Sequence, residues 1–107
     1  MSVAALEALL REQRALIAAL DADDAPAIEA ANAAVDQALL RVRASPTRPT
    51  PEMKALAEEA TRLADAARVR INVLADMTER RLTRLAAASG RGDAAPTYGR
   101  NARWKRG

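Results

Sequence analysis

One stretch, residues 51–88, constrains the fold more than any other part of this chain. It contains no glycine and, after Pro51, no proline, and its apolar positions recur in steps of three and four. This spacing places them on one face of an α-helix. The positions are Met53, Leu56, Ala60, Leu63, Ala67, Ile71, Leu74, Thr78, Leu82 and Leu85. Thr50 and Pro51 predict the start of the helix, and Ser89-Gly90 predicts its end. Such a helix would be about 57 Å long and needs a partner along its apolar face.

Two shorter helices are predicted before it, at about 3–21 and 25–43. An acidic, proline-containing break separates them, with Asp23 or Asp24 as the cap of the second helix. Since alternating β-branched or aromatic runs are missing, the fold class is all-α. Two architectures fit: an elongated antiparallel helical hairpin, in which the first two helices form one kinked arm, or a three-helix bundle. Helix lengths favour the elongated hairpin, because a bundle would leave half of the third helix uncovered.

Composition excludes several classes of function. The chain has no cysteine and no histidine, so thiolate or imidazole catalysis and Cys/His metal sites are excluded. The carboxylates of the long helix alternate with arginines, as on a solvated face, so we expect no enzyme activity, no cofactor and no metal. No apolar run approaches the roughly 18 residues of a membrane span, and the N-terminus lacks the apolar core of a signal peptide. We therefore expect a cytoplasmic protein without membrane insertion.

The basic charge is concentrated at the C-terminus. Residues 1–88 hold 12 basic and 13 acidic side chains, whereas residues 89–107 hold five basic and one acidic. Residues 89–107 are rich in Gly, Ala, Pro and Arg without periodicity, which predicts a disordered basic tail beyond a helical body of residues 1–88. The only aromatic residues, Tyr98 and Trp104, lie in this tail. They could stack on nucleic-acid bases beside the cations, or anchor the tail in a groove of a partner protein.

Four short segments resemble FlgN-type flagellar export chaperones. Residues 97–99, Thr-Tyr-Gly, follow a proline soon after the long helix and precede a basic C-terminus, as in the tail of that family. The family's tail reads Tyr-Gly-x-x-Gly, and here Ala102 stands where the second glycine is expected. Residues 71–74, Ile-Asn-Val-Leu, are similar to the Asn-containing stretch of the family's last helix. Residues 9–16 and 38–40 match the order of its first arm.

This resemblance implies a chaperone that binds the C-terminal segment of hook–filament junction proteins and docks on the cytoplasmic domain of the export gate. Tyr98, with Trp104, would then be the gate-docking residues. The long helix carries more apolar stripe than the first two helices can cover, so the expected client-binding residues lie along it. They are Leu63, Ile71, Leu74, Leu82 and Leu85. A homodimer is another way to cover this stripe. A coiled-coil scaffold, or a protein that binds nucleic acid through its tail, is the alternative function, although nucleic acid is not the expected partner.

Overall fold

A computed structural model describes residues 2–44 and 48–90 of the chain, and these form three α-helices. Helix α1 spans Val3–Asp21, α2 spans Ala25–Ala44 and α3 spans Pro51–Ala88. The all-α prediction is confirmed, and the predicted helix bounds hold except that α2 is one residue longer. The chain divides into two compact units, Met1–Asn72 and Val73–Gly107, and α3 contributes to both.

Side-chain oxygens cap the start of each helix, as their local sequences predict. The Ser2 hydroxyl accepts a hydrogen bond from the Ala5 N–H at 3.0 Å. The Asp24 carboxylate accepts one from the Ala27 N–H at 3.2 Å, and the Thr50 hydroxyl accepts one from the Met53 N–H at 3.2 Å. Asp24 is therefore the residue that caps α2.

The connection between α1 and α2 is a three-residue reversal. Asp23 adopts a positive φ of 52°, in the left-handed region. Its N–H donates to the Leu20 carbonyl at 3.1 Å, and the Asp24 N–H donates to the Ala19 carbonyl at 3.2 Å. This pair of bonds is the Schellman motif, which ends a helix and redirects the chain. It is usually built on glycine, and here an aspartate takes that place.

Because of this reversal, α1 and α2 pack against each other. Ala38 and Val42, near the end of α2, share a core with Leu6 and Leu9 in the first half of α1, so the two helices are antiparallel. The preference for an elongated hairpin with a kinked arm is therefore wrong, and the three-helix bundle is the observed architecture. The αL conformation of Asp23 is the physical reason, since a merely kinked arm would have continued in the direction of α1.

Side-chain contacts show the direction of α3 relative to α1 within the first unit. Gln13 of α1 contacts Ala60, and further along α1 the carboxylate of Asp21 pairs with Arg70 at 2.8 Å. Residue numbers therefore increase together along the two helices, so α3 runs parallel to α1 and antiparallel to α2. One buried cluster of this unit joins all three helices and consists of aliphatic side chains and methionine: Leu6, Leu9, Leu10, Ala38, Val42, Met53 and Ala60.

The second unit is described over residues 73–90. It holds the last part of α3, in which only Leu74 and Ala86 are half-buried and every other residue is exposed. The helix ends as predicted, because Gly90 adopts a φ of 80° just beyond it and its N–H donates to the Ala87 carbonyl at 3.2 Å.

Candidate functional site

A groove of about 450 Å³ opens in the first unit between α2 and α3. Its floor is formed by α1 through Leu9, Gln13 and Leu16. One wall is formed by Val35 and Leu39 of α2. The opposite wall is α3 from Ala60 to Ile71, and it includes Thr61, Ala64, Asp65, Ala67 and Arg68. The groove is thus mainly apolar, and its volume is in the range of about 300–1,000 Å³ that is common for ligand sites.

The α3 wall explains why the groove exists. Ala60, Ala64 and Ala67 recur in steps of four and three, so their methyl groups share one face of the helix. Side chains this small do not fill the space in front of Val35 and Leu39. A row of alanines also allows the backbone of another helix to approach closely, as at tightly packed helix interfaces.

Gln13 is the polar feature of the groove floor. Its side chain is only 7% exposed, and its Nε2 donates a hydrogen bond of 3.0 Å to the Ala60 carbonyl oxygen. Its Oε1 is buried and accepts no hydrogen bond from the residues that the structure describes. An unpaired buried carbonyl oxygen typically costs about 1–3 kcal/mol, so a donor that reached it would stabilise the site.

Ion pairs lie outside the apolar part of the groove. At its rim the Arg68 guanidinium pairs with the Asp65 carboxylate at 2.8 Å, and both side chains are exposed. The Arg62 guanidinium contacts Glu59 at 2.7 Å, and Arg14 approaches the same carboxylate at 4.0 Å. Exposed pairs of this kind contribute little to stability, and of these three only the pair of Arg14 with Glu59 joins α1 to α3.

Two of the predicted client-binding residues lie in the first unit. Leu63 is half-buried against the core of the bundle. Ile71 is 43% exposed and lines the end of the groove. They therefore occupy different environments, and of the two only Ile71 leaves a large part of its side chain exposed.

The other three predicted client-binding residues, Leu74, Leu82 and Leu85, lie in the second unit, on the last part of α3. Leu82 is 62% exposed and Leu85 is 65% exposed, whereas Leu74 is half-buried. Leu74, Thr78, Leu82 and Leu85 follow one another in steps of four, four and three, so they share a face of the helix. An exposed apolar row of this kind is typical of protein interaction sites.

Charged side chains lie beside the row formed by Leu74, Thr78, Leu82 and Leu85. Asp76 pairs with Arg80 at 3.1 Å on the side of the helix away from it. Arg81 and Arg84 make no ion pair with any residue in the ranges 2–44 and 48–90. Within those ranges there is also no group of three acidic side chains placed to hold a metal ion. None of the helices described is long and apolar enough to cross a membrane.

The predicted gate-docking residues, Tyr98 and Trp104, lie outside the described residues. Comparisons with protein-family models, with curated proteins and with solved structures found no match. The functional interpretation therefore depends on the residues and surfaces of this chain.

Sequence patterns did not predict the groove. The available signal is Gln13, which interrupts the apolar positions Leu6, Leu10 and Ile17 of α1, because a glutamine at a core position needs a hydrogen-bond partner. A second apolar row was also missed: Val73 and Met77, one helical turn apart, are 52% and 41% exposed. They lie away from the stripe that begins at Met53, so a search for a single stripe passes over them.

Proposed function

We propose that this protein is a flagellar type III export chaperone. It binds an amphipathic C-terminal helix of a hook–filament junction protein and delivers that client to the cytoplasmic domain of the export gate. The exposure of Leu82 and Leu85, about two-thirds of each side chain, is the observation that carries the binding part of the proposal. The similarity of short sequence segments to FlgN-type chaperones supports the choice of client and gate.

The physical basis is capture of a helix by an apolar helical surface. A client helix that places its own apolar face on Leu74, Leu82 and Leu85 would remove these side chains from water. Arg81 and Arg84 border the row, so a client helix with acidic residues beside its apolar face would be favoured electrostatically. No catalytic group is required for this task.

The test is a titration of the full chain with a synthetic peptide. The peptide corresponds to the C-terminal helix of a hook–filament junction protein from the same genome. Burying a whole leucine side chain contributes about 1.5–3 kcal/mol, and part of each leucine is already covered, so we expect about 1 kcal/mol from each. Leu82→Ala combined with Leu85→Ala should then weaken binding about thirtyfold. Leu40→Ala is the matched control, since Leu40 is 57% exposed on α2. Equal affinities of the double variant and the control would contradict the proposal.

The delivery step is assigned to Tyr98 and Trp104. A tyrosine offers a large amphipathic contact surface with few rotatable bonds, so it is suited to a shallow apolar socket. Tyr98→Ala should weaken binding to the purified gate domain and reduce client secretion, while client affinity stays unchanged. Tyr98→Phe should have a mild effect if the ring makes the main contact. Loss of client binding with intact gate binding would instead place Tyr98 in the client site.

A further inference from the structure

We propose that the apolar groove of the first unit binds the side chain of Trp104 of the same chain. The described residues end at Gly90, and Trp104 lies beyond them. Three properties of the chain favour this occupant over a second copy or another protein: its composition, the length of chain after α3, and its distribution of charge. The contact does not depend on the chaperone function proposed above.

The composition of the chain leaves the groove without a large side chain to fill it. None of the described residues is aromatic, because the two aromatic residues are Tyr98 and Trp104. Small residues such as Ala64 leave a space of about 450 Å³ between mainly aliphatic walls. A packed tryptophan buries about 150–250 Å² and needs an acceptor for its indole N–H. The Thr61 hydroxyl and the Asp65 carboxylate line the groove and can accept that bond.

The chain after α3 is long enough to return to the groove. At 1.5 Å per residue, the groove residues Ile71 and Ala60 lie at most about 26 Å and 42 Å from Ala88. At about 3.3 Å per extended residue, the chain from Ala88 to Trp104 spans up to about 50 Å. Trp104 can therefore reach every part of the groove, whatever the direction of α3. By the same measure Tyr98 reaches about 33 Å, which is enough for the Ile71 end alone.

The net charges of the two parts are opposite. The first unit, residues 1–72, holds nine basic and eleven acidic side chains, whereas residues 89–107 hold five basic and one acidic. Three of these five cations lie within two residues of Trp104: Arg103, Lys105 and Arg106. Opposite net charges favour association of the two parts and set which end of the segment approaches.

An acidic side chain lies at the rim of the groove on α2. Around the axis of this helix, the order is Ala38 in the core, Val35 and Leu39 in the groove wall, and then Asp36. Asp36 is exposed and makes no ion pair with any residue in the ranges 2–44 and 48–90. It can therefore pair with a cation beside Trp104 when the indole ring occupies the groove.

The contact would compete with delivery to the export gate. The proposed function assigns Trp104 to the gate, and one ring cannot occupy the groove and a gate socket at the same time. The gate would then have to displace the ring from the groove. This competition rests on the proposed function, whereas the contact itself does not.

The test uses pairs of cysteines in the full chain, which has none of its own. Ala102→Cys places a thiol beside Trp104 without removing a cation. Ala64→Cys places the second thiol in the groove wall at an exposed position. Val69→Cys is the matched control, because Val69 is 58% exposed on α3 outside the groove. Val69 is also nearer to Ala102 along the chain, so random encounters favour the control.

The rate of disulfide formation with oxidised glutathione is the measured quantity. The Ala64 pair should form an intramolecular disulfide about tenfold faster than the Val69 pair, because docking raises the effective concentration of the thiol. Adding Trp104→Ala should reduce the rate of the Ala64 pair to that of the control. Circular dichroism verifies that all variants keep their helicity.

Two results would overturn the inference. One is equal rates for the two pairs, or a rate of the Ala64 pair that Trp104→Ala leaves unchanged. The other is a disulfide-linked dimer as the main product, since a second copy would then supply the ring. Neither result bears on client or gate binding, so the proposed function is tested separately.

The charge contribution has its own matched pair of variants. Asp36→Arg should slow disulfide formation of the Ala64 pair several-fold at low salt and less at high salt. Glu7→Arg makes the same change in net charge on the face of α1 opposite the groove residues Leu9 and Gln13. It should have little effect. Equal effects of the two variants would overturn the pairing of Asp36 with the cations beside Trp104.

Discussion

Replacing Asp23 with glycine should stabilise the protein. Asp23 is a non-glycine residue with a φ of 52°. This left-handed conformation costs about 1–2 kcal/mol for a typical L-residue and somewhat less for aspartate, and glycine avoids the cost. Glycine also gives the unfolded chain more freedom, which removes about 0.5–1 kcal/mol of stability at a position with an ordinary conformation. The two effects leave a net gain of a few tenths of a kcal/mol to about 1 kcal/mol.

The adjacent residue provides a matched control. Ala22 is exposed as well, but its φ of −84° is in the right-handed helical region. Ala22→Gly should therefore show only the unfavourable effect and destabilise the fold by about 0.5–1 kcal/mol. Asp23→Asn separates charge from conformation. Because Asp23 lies between the C-terminus of α1 and the N-terminus of α2, the two dipole effects on its carboxylate oppose each other, and removing the charge should change stability little.

The measurement is urea unfolding followed by circular dichroism, with thermal unfolding as a second readout. For a domain of this size, 1 kcal/mol corresponds to about 4–8 °C in Tm. The free energy of unfolding should rise for Asp23→Gly and fall for Ala22→Gly, with the same denaturant slope for both. If both glycine variants lost stability equally, the αL conformation of Asp23 and the chain reversal built on it would be refuted.

Four further substitutions distinguish the core, a helix cap and the surface by chemical denaturation. Leu6→Ala should lower the free energy of unfolding by about 2–5 kcal/mol, since Leu6 is 2% exposed, whereas Leu85→Ala should change it by less than about 0.5 kcal/mol. Equal losses of stability in the two variants would contradict the burial of Leu6 and the exposure of Leu85. Thr50→Ala should cost about 1 kcal/mol through loss of the α3 cap; no loss would mean that the cap is not formed. Arg70→Ala, which breaks the exposed pair with Asp21, should cost less than about 1 kcal/mol, and less still at high salt; a larger loss at any salt concentration would show that this pair holds α1 against α3.

Local sequence predicted the helices well because their boundaries depend on local chemistry. Thr50 and Asp24 cap the following helices through hydrogen bonds within one turn, and Gly90 ends α3. The reversal at Asp23 was not predictable in the same way. Aspartate is compatible with both a kink and a left-handed turn, and the choice between them depends on the packing of α2 against α1.

The groove required information that a pattern of apolar spacing does not contain. Ala60 and Ala67 count as apolar stripe residues, yet their small size opens space rather than filling it. Gln13 was visible as a polar residue in the stripe of α1, but its hydrogen bond to the Ala60 carbonyl depends on the register between α1 and α3. The exposure of Leu82 and Leu85 likewise depends on which parts of α3 the bundle covers.

The absence of aromatic side chains from helices α1, α2 and α3 has a consequence for spectroscopy. The chain contains no phenylalanine, and its one tyrosine and one tryptophan are Tyr98 and Trp104. Intrinsic fluorescence therefore arises from these two residues alone, and no side chain of residues 1–97 contributes to it. A change in tryptophan emission on adding a partner would report on the surroundings of Trp104, with no label needed. Tryptophan emission thus follows events at the C-terminal residues, whereas binding at the helices needs a second readout such as a label or calorimetry.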